Sequence, residues 1–384
     1  MKPSTFCHRP HVALFLVLLF AGMFLTGCWD RRDIEQRSLV SAIGIDKGTA
    51  GDYLISIQVP IPNQIAGSTG TGGGGGGEAY RVITSTGDTL MEGLNNLQKR
   101  TNQMIFVGHT RVIAISEEVA RENITSIIDG LRRKSSFRRL LWPIVVHGEA
   151  RNLLTFSPKL EQLPTVFVMD QLKTSSQLGI LPKLSLGDMY IAMSKTTEEP
   201  IAYYARVSKE DIQLDRLAVF RGNRMVGHLD THEIIPLIHI RNQRNGPDVT
   251  VPIDPEKNVF VTFHPKKTKT RIDARFEGGK PRFQICIRMD GSITESTYKK
   301  IIDPVRWMNE VEQATAAYYE KLAKKTLQKL QKEYHADILR LGTLVRGRYP
   351  EAWKKIDSWE TLFSNAEIQV TYDVRIRQTG LEKR

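Results

Sequence analysis

An apolar segment near the amino terminus, ending in a cysteine, constrains this chain more than any other feature of its sequence. Residues 12–25 carry no charge and run into the motif Leu25-Thr26-Gly27-Cys28, while Lys2 and Arg9 precede them. At about 1.5 Å per residue, this segment makes roughly 21 Å of helix, which is shorter than the ~30 Å hydrocarbon core of a bilayer. The pattern therefore predicts a cleaved export signal and not a permanent membrane span.

Cys28 is the predicted site of lipid attachment. Thr26 and Gly27 are small, which leaves room for a peptidase to cut between Gly27 and Cys28 and remove residues 1–27. Two acyl chains hold a protein stably on a membrane, and the diacylglyceryl thioether of a diacylglycerol/palmitate modification on Cys28 would supply both. We predict a chain held by its lipid on the extracytoplasmic side of the cell membrane. The alternative is an uncleaved amino-terminal anchor with an incidental cysteine.

The chain is strongly basic. Its 54 Lys and Arg against 42 Asp and Glu give a formal charge of +12, of which Lys2 and Arg9 would leave with the signal. An exported chain does not meet nucleic acid, so anionic lipid head groups or acidic envelope polymers are the candidate partners, beside a merely solvated basic surface. The two candidate basic groups are Arg132-Arg133-Lys134 with Arg138-Arg139, and Lys266-Lys267 with Lys269 and Arg271.

Strand and helix patterns are interspersed along the chain, which predicts a multidomain α+β fold with mixed or antiparallel sheets and packed helices. The amino-terminal α+β region spans residues 28–200, with division into two subdomains left open, and holds a glycine-rich loop at 67–77. A polar boundary near 195–212 precedes a carboxyl-terminal α+β domain at 212–384. Strands are predicted at 39–45, 53–59, 80–84, 104–106, 111–115, 140–146, 217–220 and 225–228, and helices at 88–99, 116–133 and 184–193.

The carboxyl-terminal domain contains the most regular helical pattern. A long amphipathic helix is predicted from Pro304, with a stop or kink at Gly342 and lysines on its polar face. Strands are predicted at 259–263, 269–276 and 283–289, with a hairpin at Gly278-Gly279, and an alternating strand at 367–377 is expected to join an antiparallel sheet. Cys286 lies within the alternating pattern of 283–289, so we expect a buried structural thiol.

No combination of residues predicts catalysis. Ser296 and Lys299 match Ser-x-x-Lys, but the companion motifs of penicillin-binding enzymes are missing. His232-Glu233 opens like a zinc-protease motif, whereas Pro236 stands where the second histidine should be. His228 precedes His232 by four residues, but the intervening sequence favours a strand and a turn over a metal-binding helix. The sequence thus predicts a non-enzyme with neither metal nor cofactor, apart from the covalent lipid.

Short motifs in a fixed order extend over nearly the whole mature chain. They are Gly27-Cys28-Trp29-Asp30, Asp33-Ile-Glu35, Ala42-Ile-Gly-Ile-Asp46, Val107-Gly-His-Thr-Arg111, Leu217-Ala-Val-Phe220 with Val226-Gly227, residues 291–295, Ala336-Asp-Ile-Leu339 with Gly342, Tyr349-Pro350, Trp353, and Val374-Arg-Ile-Arg377 with Gly380. Together they resemble the Ger(x)C family, the lipoprotein C subunits of nutrient germinant receptors in endospore-forming bacteria. Two features depart from the family pattern: the glycine run at 72–77, and His228 where the family often has an aromatic residue.

The resemblance implies an α+β lipoprotein without known catalytic activity, on the outer face of the spore inner membrane. Such proteins act with two integral membrane subunits, a large A-type and a transporter-like B-type, to convert nutrient binding into ion release and germination. Only the acylated cysteine carries over as a functional residue, to Cys28. Two alternatives stay open: a tethered ligand-binding lipoprotein of another uptake or sensing system, and an envelope hydrolase using Ser296 and Lys299.

Overall fold

The computed structural model describes residues 37–66, 79–159, 161–243, 245–254, 256, 258–298 and 303–378. The predicted signal, Gly27, Cys28 and the glycine-rich loop at 67–77 lie outside these residues. The described chain forms fourteen strands interspersed with twelve α-helices, which confirms the predicted α+β class. No helix in this described part is long and apolar enough to cross a membrane.

Ten strands build the amino-terminal architecture. Eight of them form one sheet in the order β10-β9-β8-β7-β6-β2-β3-β4, and β1 pairs separately with β5. The neighbours β2, β6, β7 and β8 run parallel, so their amino ends share one edge of the sheet, the amino edge, and their carboxyl ends share the opposite, carboxyl edge. The strands are β1 (Arg37–Leu39), β2 (Ala42–Lys47), β3 (Tyr53–Pro60), β4 (Tyr80–Gly87), β5 (Met104–Phe106), β6 (Val112–Ser116), β7 (Trp142–His147), β8 (Ile201–Val207), β9 (Ile212–Arg221) and β10 (Arg224–Leu229).

Eight helices accompany this larger sheet. The single helix predicted over 116–133 is two helices, because Asn123 adopts an extended backbone with φ −173°. Ser116 caps the first of them as its residue type suggests, its hydroxyl accepting the Val119 N–H at 3.4 Å. The helices are α1 (Pro62–Ala66), α2 (Leu90–Gln98), α3 (Glu117–Glu122), α4 (Thr125–Arg133), α5 (Ala150–Thr155), α6 (Pro164–Gln177), α7 (Leu186–Met193) and α8 (Thr231–Ile240).

Four long strands form the second sheet, in the order β11-β12-β13-β14. The predicted hairpin at Gly278-Gly279 is confirmed, with φ values of 58° and 77° that favour glycine. The prediction of an antiparallel last strand is wrong, because β14 pairs with β13 in parallel after the chain has returned through helices. The strands are β11 (Val249–Asp254), β12 (Val259–Glu277), β13 (Lys280–Ser296) and β14 (Glu367–Gln378).

The long helix begins as predicted but ends earlier. Pro304 occupies its first turn, and the Asp303 carboxylate accepts the next two backbone N–H groups. The helix passes into a π-helical segment, Lys329–Tyr334, and stops where His335 takes a left-handed φ of 51°. Gly342 is therefore not its stop, since it lies in the first turn of the following helix. The helices here are α9 (Pro304–Gln328), α10 (Leu341–Arg348), α11 (Pro350–Trp353) and α12 (Trp359–Ser364).

Two apolar layers cover the faces of the larger sheet. One contains Ile43, Ile55 and Ile113 beneath α2, α3 and α4. The other begins at Val112 and Ile144 and continues without a break into the smaller sheet and α9. Because β8, β9 and β10 carry the larger sheet to residue 229, the predicted division near 195–212 falls between strands of one sheet.

Cys286 is exposed, which contradicts the expected buried thiol. The alternation was real, but Phe283, Ile285 and Ile287 form the buried set, and period-two geometry then turns residue 286 outward. The prediction of strand and turn around His232 is also wrong, since this residue lies in the first turn of α8, a helix that contains Pro236.

Candidate functional site

Cys28 is connected to the described fold by a short stretch of chain. The first strand, β1, begins at Arg37, nine residues further on. An extended chain spans at most ~3.6 Å per residue, so about 32 Å separates the two positions at most. A membrane lipid on Cys28 would therefore keep β1 close to the bilayer.

Side-chain contacts fix where this connection meets the larger sheet. The guanidinium of Arg37 lies 4.9 Å from the centre of the Phe106 ring, a cation–π geometry, and the Ser38 hydroxyl donates to Gln103 at 3.0 Å. The next residue after β1, Val40, donates its N–H to the Phe106 carbonyl at 3.1 Å. The chain thus enters the sheet at its amino edge, where β2 begins.

A polar cluster lies near the carboxyl edge. The Glu117 carboxylate accepts the Tyr204 hydroxyl at 2.7 Å, contacts His147 Nδ1 at 2.8 Å and accepts Arg121 Nε at 2.8 Å. Burial opposes ionisation, but these hydrogen bonds outweigh it and lower the pKa of Glu117 to about 2. Burial and the bond to Glu117 raise the pKa of Tyr204 well above its usual range.

The cluster continues to β10 through an aromatic stack. The rings of Tyr204 and His228 lie 4.9 Å apart and nearly parallel, and Arg216 Nη1 lies 2.9 Å from His228 Nε2. Burial and the Arg216 charge lower the pKa of His228, so its ring is neutral and accepts this hydrogen bond. Glu117 stays ionised and Tyr204 stays protonated near neutral pH, so neither has a pKa suited to general acid–base catalysis. The cluster therefore connects α3 with the neighbouring strands β7, β8, β9 and β10 by hydrogen bonds and ring stacking.

Glu233, the second residue of the apparent zinc-protease motif, has a structural role. Together with Asp230 it forms the capping box that starts α8. Its carboxylate, only 3% exposed, lies 2.7 Å from Lys329 Nζ and 3.4 Å from Lys325 Nζ. Lys325 belongs to α9 and Lys329 to the π-helical segment that follows it, so these ion pairs join α8 to the long helix. Among the described residues, no three His, Cys, Asp or Glu side chains are placed to hold a metal ion.

The other candidate chemistry is not assembled either. Ser296, at the exposed end of β13, accepts the Tyr298 N–H at 3.2 Å, and Lys299 lies outside the described residues. A groove of about 720 Å³ lies beside the Gly278-Gly279 turn. It is the candidate cleft for the alternative in which the chain is a ligand-binding lipoprotein. Its lining includes Phe276, Glu351, Lys355 and Leu362.

Asp337 forms a buried hydrogen-bond centre that the sequence reasoning did not single out as a site. Its Oδ1 accepts the N–H groups of Leu339 and Leu341 at 3.0 and 3.2 Å. Its Oδ2 accepts the Gly342 N–H at 2.7 Å and the Trp359 indole N–H at 2.9 Å. Complete burial raises the pKa of Asp337, and the four hydrogen bonds oppose that rise.

The same centre joins the two parts of the chain. The Glu199 N–H donates to the Asp337 carbonyl at 3.0 Å. A Cβ on Gly342 would lie 2.5 Å from the Thr197 carbonyl oxygen and 2.6 Å from Trp359 Nε1, so only glycine fits there. The motif Ala336-Asp-Ile-Leu339 with Gly342 was the signal that could have located this centre.

Comparison with known proteins agrees with this architecture. Residues 30–207 match the family described as "Spore germination protein N-terminal domain", and residues 215–380 match "Spore germination B3/ GerAC like, C-terminal". These two matches cover most of the chain in the expected order. The chain belongs to the Ger(x)C family.

Ger(x)C proteins of known sequence align along almost the full chain. Spore germination protein KC of Bacillus subtilis (strain 168) is 24% identical over 96% of this chain and 96% of its own length. Spore germination protein B3 of the same organism is 26% identical over 94% and 96%. The crystal structure of the GerBC protein superposes with a TM-score of 0.58 at 20% identity, covering 90% of this chain and all of that one, which shows a shared fold.

One departure from the Ger(x)C pattern now has a structural context. A Cβ on Gly227 would overlap the ring of Tyr334, whose hydroxyl donates to the His228 carbonyl at 2.9 Å. His228, which the sequence analysis singled out as a departure from the family pattern, stacks on Tyr204.

Proposed function

We propose that this chain is the C subunit of a nutrient germinant receptor, tethered to the outer face of the spore inner membrane by lipid on Cys28. It acts there with A-type and B-type integral membrane subunits in the germination response. The observation that carries the proposal is the Leu25-Thr26-Gly27-Cys28 motif at the start of a chain whose remaining length belongs to the Ger(x)C family.

The proposed physical role is to hold a folded body in a thin layer above its partners. A tether of at most ~32 Å confines the body near the membrane, which raises its effective concentration for a membrane subunit without any new contact. The proposed tether would reach the larger sheet through β1, which pairs with β5 and leads into β2, and the continuous apolar layer links that sheet to the smaller one. The body is thus held as a connected whole.

The proposal assigns no catalysis to the chain. The polar cluster at Glu117 holds an ionised carboxylate and a protonated phenol, a pairing suited to fixed hydrogen bonding. The one serine of the Ser-x-x-Lys match is engaged with the backbone at an exposed strand end. A Ser296→Ala variant should therefore germinate like the parent, and a loss of germination at normal protein levels would favour the hydrolase alternative.

Mass spectrometry of the native protein tests the tether directly. We expect an amino terminus at Cys28 carrying a diacylglycerol-type modification, and we expect Cys28→Ala to abolish it. Spores with Cys28→Ala should show reduced receptor assembly and a weaker nutrient response, whereas the exposed control Cys286→Ala should not. Normal germination of Cys28→Ala spores at wild-type receptor levels would refute tethering as the mechanism.

A further inference from the structure

One exposed leucine stands out among the described residues because of its neighbours. Leu140 is 75% exposed, and Arg138 and Arg139 directly precede it, both also exposed. A lone exposed leucine on a protein surface is ordinary. An exposed leucine at the end of a run of cations is the composition of a membrane-surface contact, where apolar side chains enter the interface and cations meet phosphates.

The segment that carries these residues, the arginine loop (residues 134–141), is firmly placed. It connects α4 to β7, and its backbone is held by α7, since Gly187 donates to the Arg139 carbonyl at 2.8 Å and Leu186 to the Leu141 carbonyl at 2.7 Å. The side chains at 138–140 are therefore presented from a fixed backbone. The loop backbone therefore loses little conformational entropy when these side chains bind a surface.

The arginine loop lies on the amino edge, beside the starts of the parallel strands. Trp142 donates its N–H to the Arg111 carbonyl at 2.8 Å, and Arg111 donates to the Ser41 carbonyl at 2.8 Å. These three residues mark the starts of β7, β6 and β2, so Leu140, two residues before β7, lies on the same edge as the point where the chain comes in from β1. Half-buried Trp142 adds an aromatic residue of the kind enriched at membrane interfaces.

The cations of this edge are free for an outside anion. Within the described part of the chain, no carboxylate forms an ion pair with any of five exposed cations: Arg111, Arg132, Lys134, Arg138 and Arg139. Burial raises the pKa of Tyr190, and the charges of Arg132 and Arg139 oppose that rise. The adjacent Arg133, by contrast, is paired with Asp129 at 2.6 Å.

The second basic group of the sequence has a less uniform setting. Lys267, Lys269 and Arg271 are exposed on the outer face of the smaller sheet. That face also carries acidic side chains, including Asp373, which pairs with Arg288 at 3.0 Å, and Asp290, which pairs with Arg377 at 2.9 Å. The amino edge combines unpaired cations with an exposed leucine, and the charge pattern favours it as the membrane contact.

We propose that the amino edge is a second membrane contact, in which Arg111, Arg138 and Arg139 bind phosphates of anionic phospholipids and Leu140 enters the head-group region. The inference rests on the proposed tether at Cys28, which would hold β1 within ~32 Å of the bilayer on this same edge. Attraction between cations and an anionic surface acts within a Debye length of ~8–10 Å. The tether keeps this edge near enough to the bilayer for its cations to come within that range. The contact would fix how the body is rotated on its anchor.

A polarity-sensitive fluorophore at residue 140 tests the contact. The full lipidated chain carries Leu140→Cys in a Cys286→Ser background, with nitrobenzoxadiazole on the new thiol, and is reconstituted into vesicles. The matched control, Lys209→Cys, places the probe at the exposed turn between β8 and β9, on the carboxyl edge. We expect about twofold brighter, blue-shifted emission at 140 on equal parts phosphatidylcholine and phosphatidylglycerol, little change on phosphatidylcholine alone, and none at 209.

A charge-reversal pair tests the phosphate contact. Arg138→Glu with Arg139→Glu should abolish the change at residue 140, whereas the equal charge change Lys269→Glu with Arg271→Glu should leave it intact. Added salt should weaken the signal. A loss in both double variants would show a general charge effect and overturn the assignment to this edge.

Flotation of the same vesicles separates this inference from the proposed tether. Protein that floats on neutral vesicles while the probe at 140 behaves as at 209 on anionic ones leaves the tether standing and overturns the second contact. Protein that does not float on neutral vesicles but shows brighter probe emission at residue 140 on anionic ones overturns the tether and leaves the second contact standing. No response on vesicles, with brightening only when a receptor subunit is added, would assign the edge to a protein partner and also overturn the inference.

Discussion

Replacing Glu199 with glutamine should change the pH dependence of stability in a predictable way. The Glu199 side chain is largely buried, and its Oε2 accepts the Gly222 N–H at 2.6 Å. Burial raises its pKa from 4.5 to about 7; the Gly222 hydrogen bond opposes the rise, and the nearby Glu360 and Asp337 charges add to it. The folded protein must therefore hold an unfavourable charge at alkaline pH.

The sign and size of the effect follow from proton linkage. Between pH 4.5 and 7 the folded state binds more protons at Glu199 than the unfolded state, so its contribution to stability falls as pH rises through this window. The shift from 4.5 to about 7 corresponds to an upper limit of about 3 kcal/mol, reduced by the solvent contact that remains. Glutamine stays neutral and still offers an oxygen to Gly222. Glu199→Gln should be more stable than the parent by less than ~1 kcal/mol at pH 5 and by about 1–3 kcal/mol at pH 8, with the larger difference at pH 8.

Urea denaturation of the full chain at both pH values measures this difference. Glu210→Gln, at the exposed turn between β8 and β9, is the matched control and should equal the parent at both. Comparing each variant with the parent at the same pH removes the contribution of groups such as Glu117, which act in the opposite direction. An equal effect of Glu199→Gln at pH 5 and pH 8 would refute the reasoning.

Three further substitutions test the packing. Asp337→Ala leaves four buried N–H donors without their acceptor and should cost about 3–5 kcal/mol in urea denaturation. Gly342→Ala places a methyl group 2.5 Å from the Thr197 carbonyl and should lower the thermal midpoint, at a cost of about 1–3 kcal/mol. Cys286 should react with a thiol reagent in the native protein as fast as a model thiol, and Cys286→Ser should change stability by less than ~0.5 kcal/mol.

Local patterns predicted the elements whose causes are local. The strand at 53–59 and the cap at Ser116 follow from alternation and from a side chain that bonds its own neighbours. The Gly278-Gly279 hairpin follows from backbone freedom at one turn. Which face of a strand is buried is not local information, and Cys286 shows this, because its neighbours on β12 and β14 decide which alternating set lies inside.

Two prolines lie in helices for different physical reasons. Pro164 sits in the first turn of α6, where its missing N–H has no helical partner to lose. Pro236 sits inside α8, at a cost of about 3 kcal/mol in an isolated helix. Every residue of α8 from Glu233 to Ile240 is buried, so the area removed from water offsets that cost.

Three residues of the motifs that carry the family resemblance, Gly227, Asp337 and Gly342, lie where the two sheets meet. Gly227 makes room for Tyr334, and Gly342 makes room for Trp359 beside the Asp337 centre. Such a position tolerates no side chain because a partner ring already fills the space, which is a requirement of the fold and not of a reaction. The same contacts join the larger sheet to the rest of the body through packed, hydrogen-bonded groups. Under the proposed tether at Cys28, this junction would hold the smaller sheet at a fixed position relative to the anchored end of the chain.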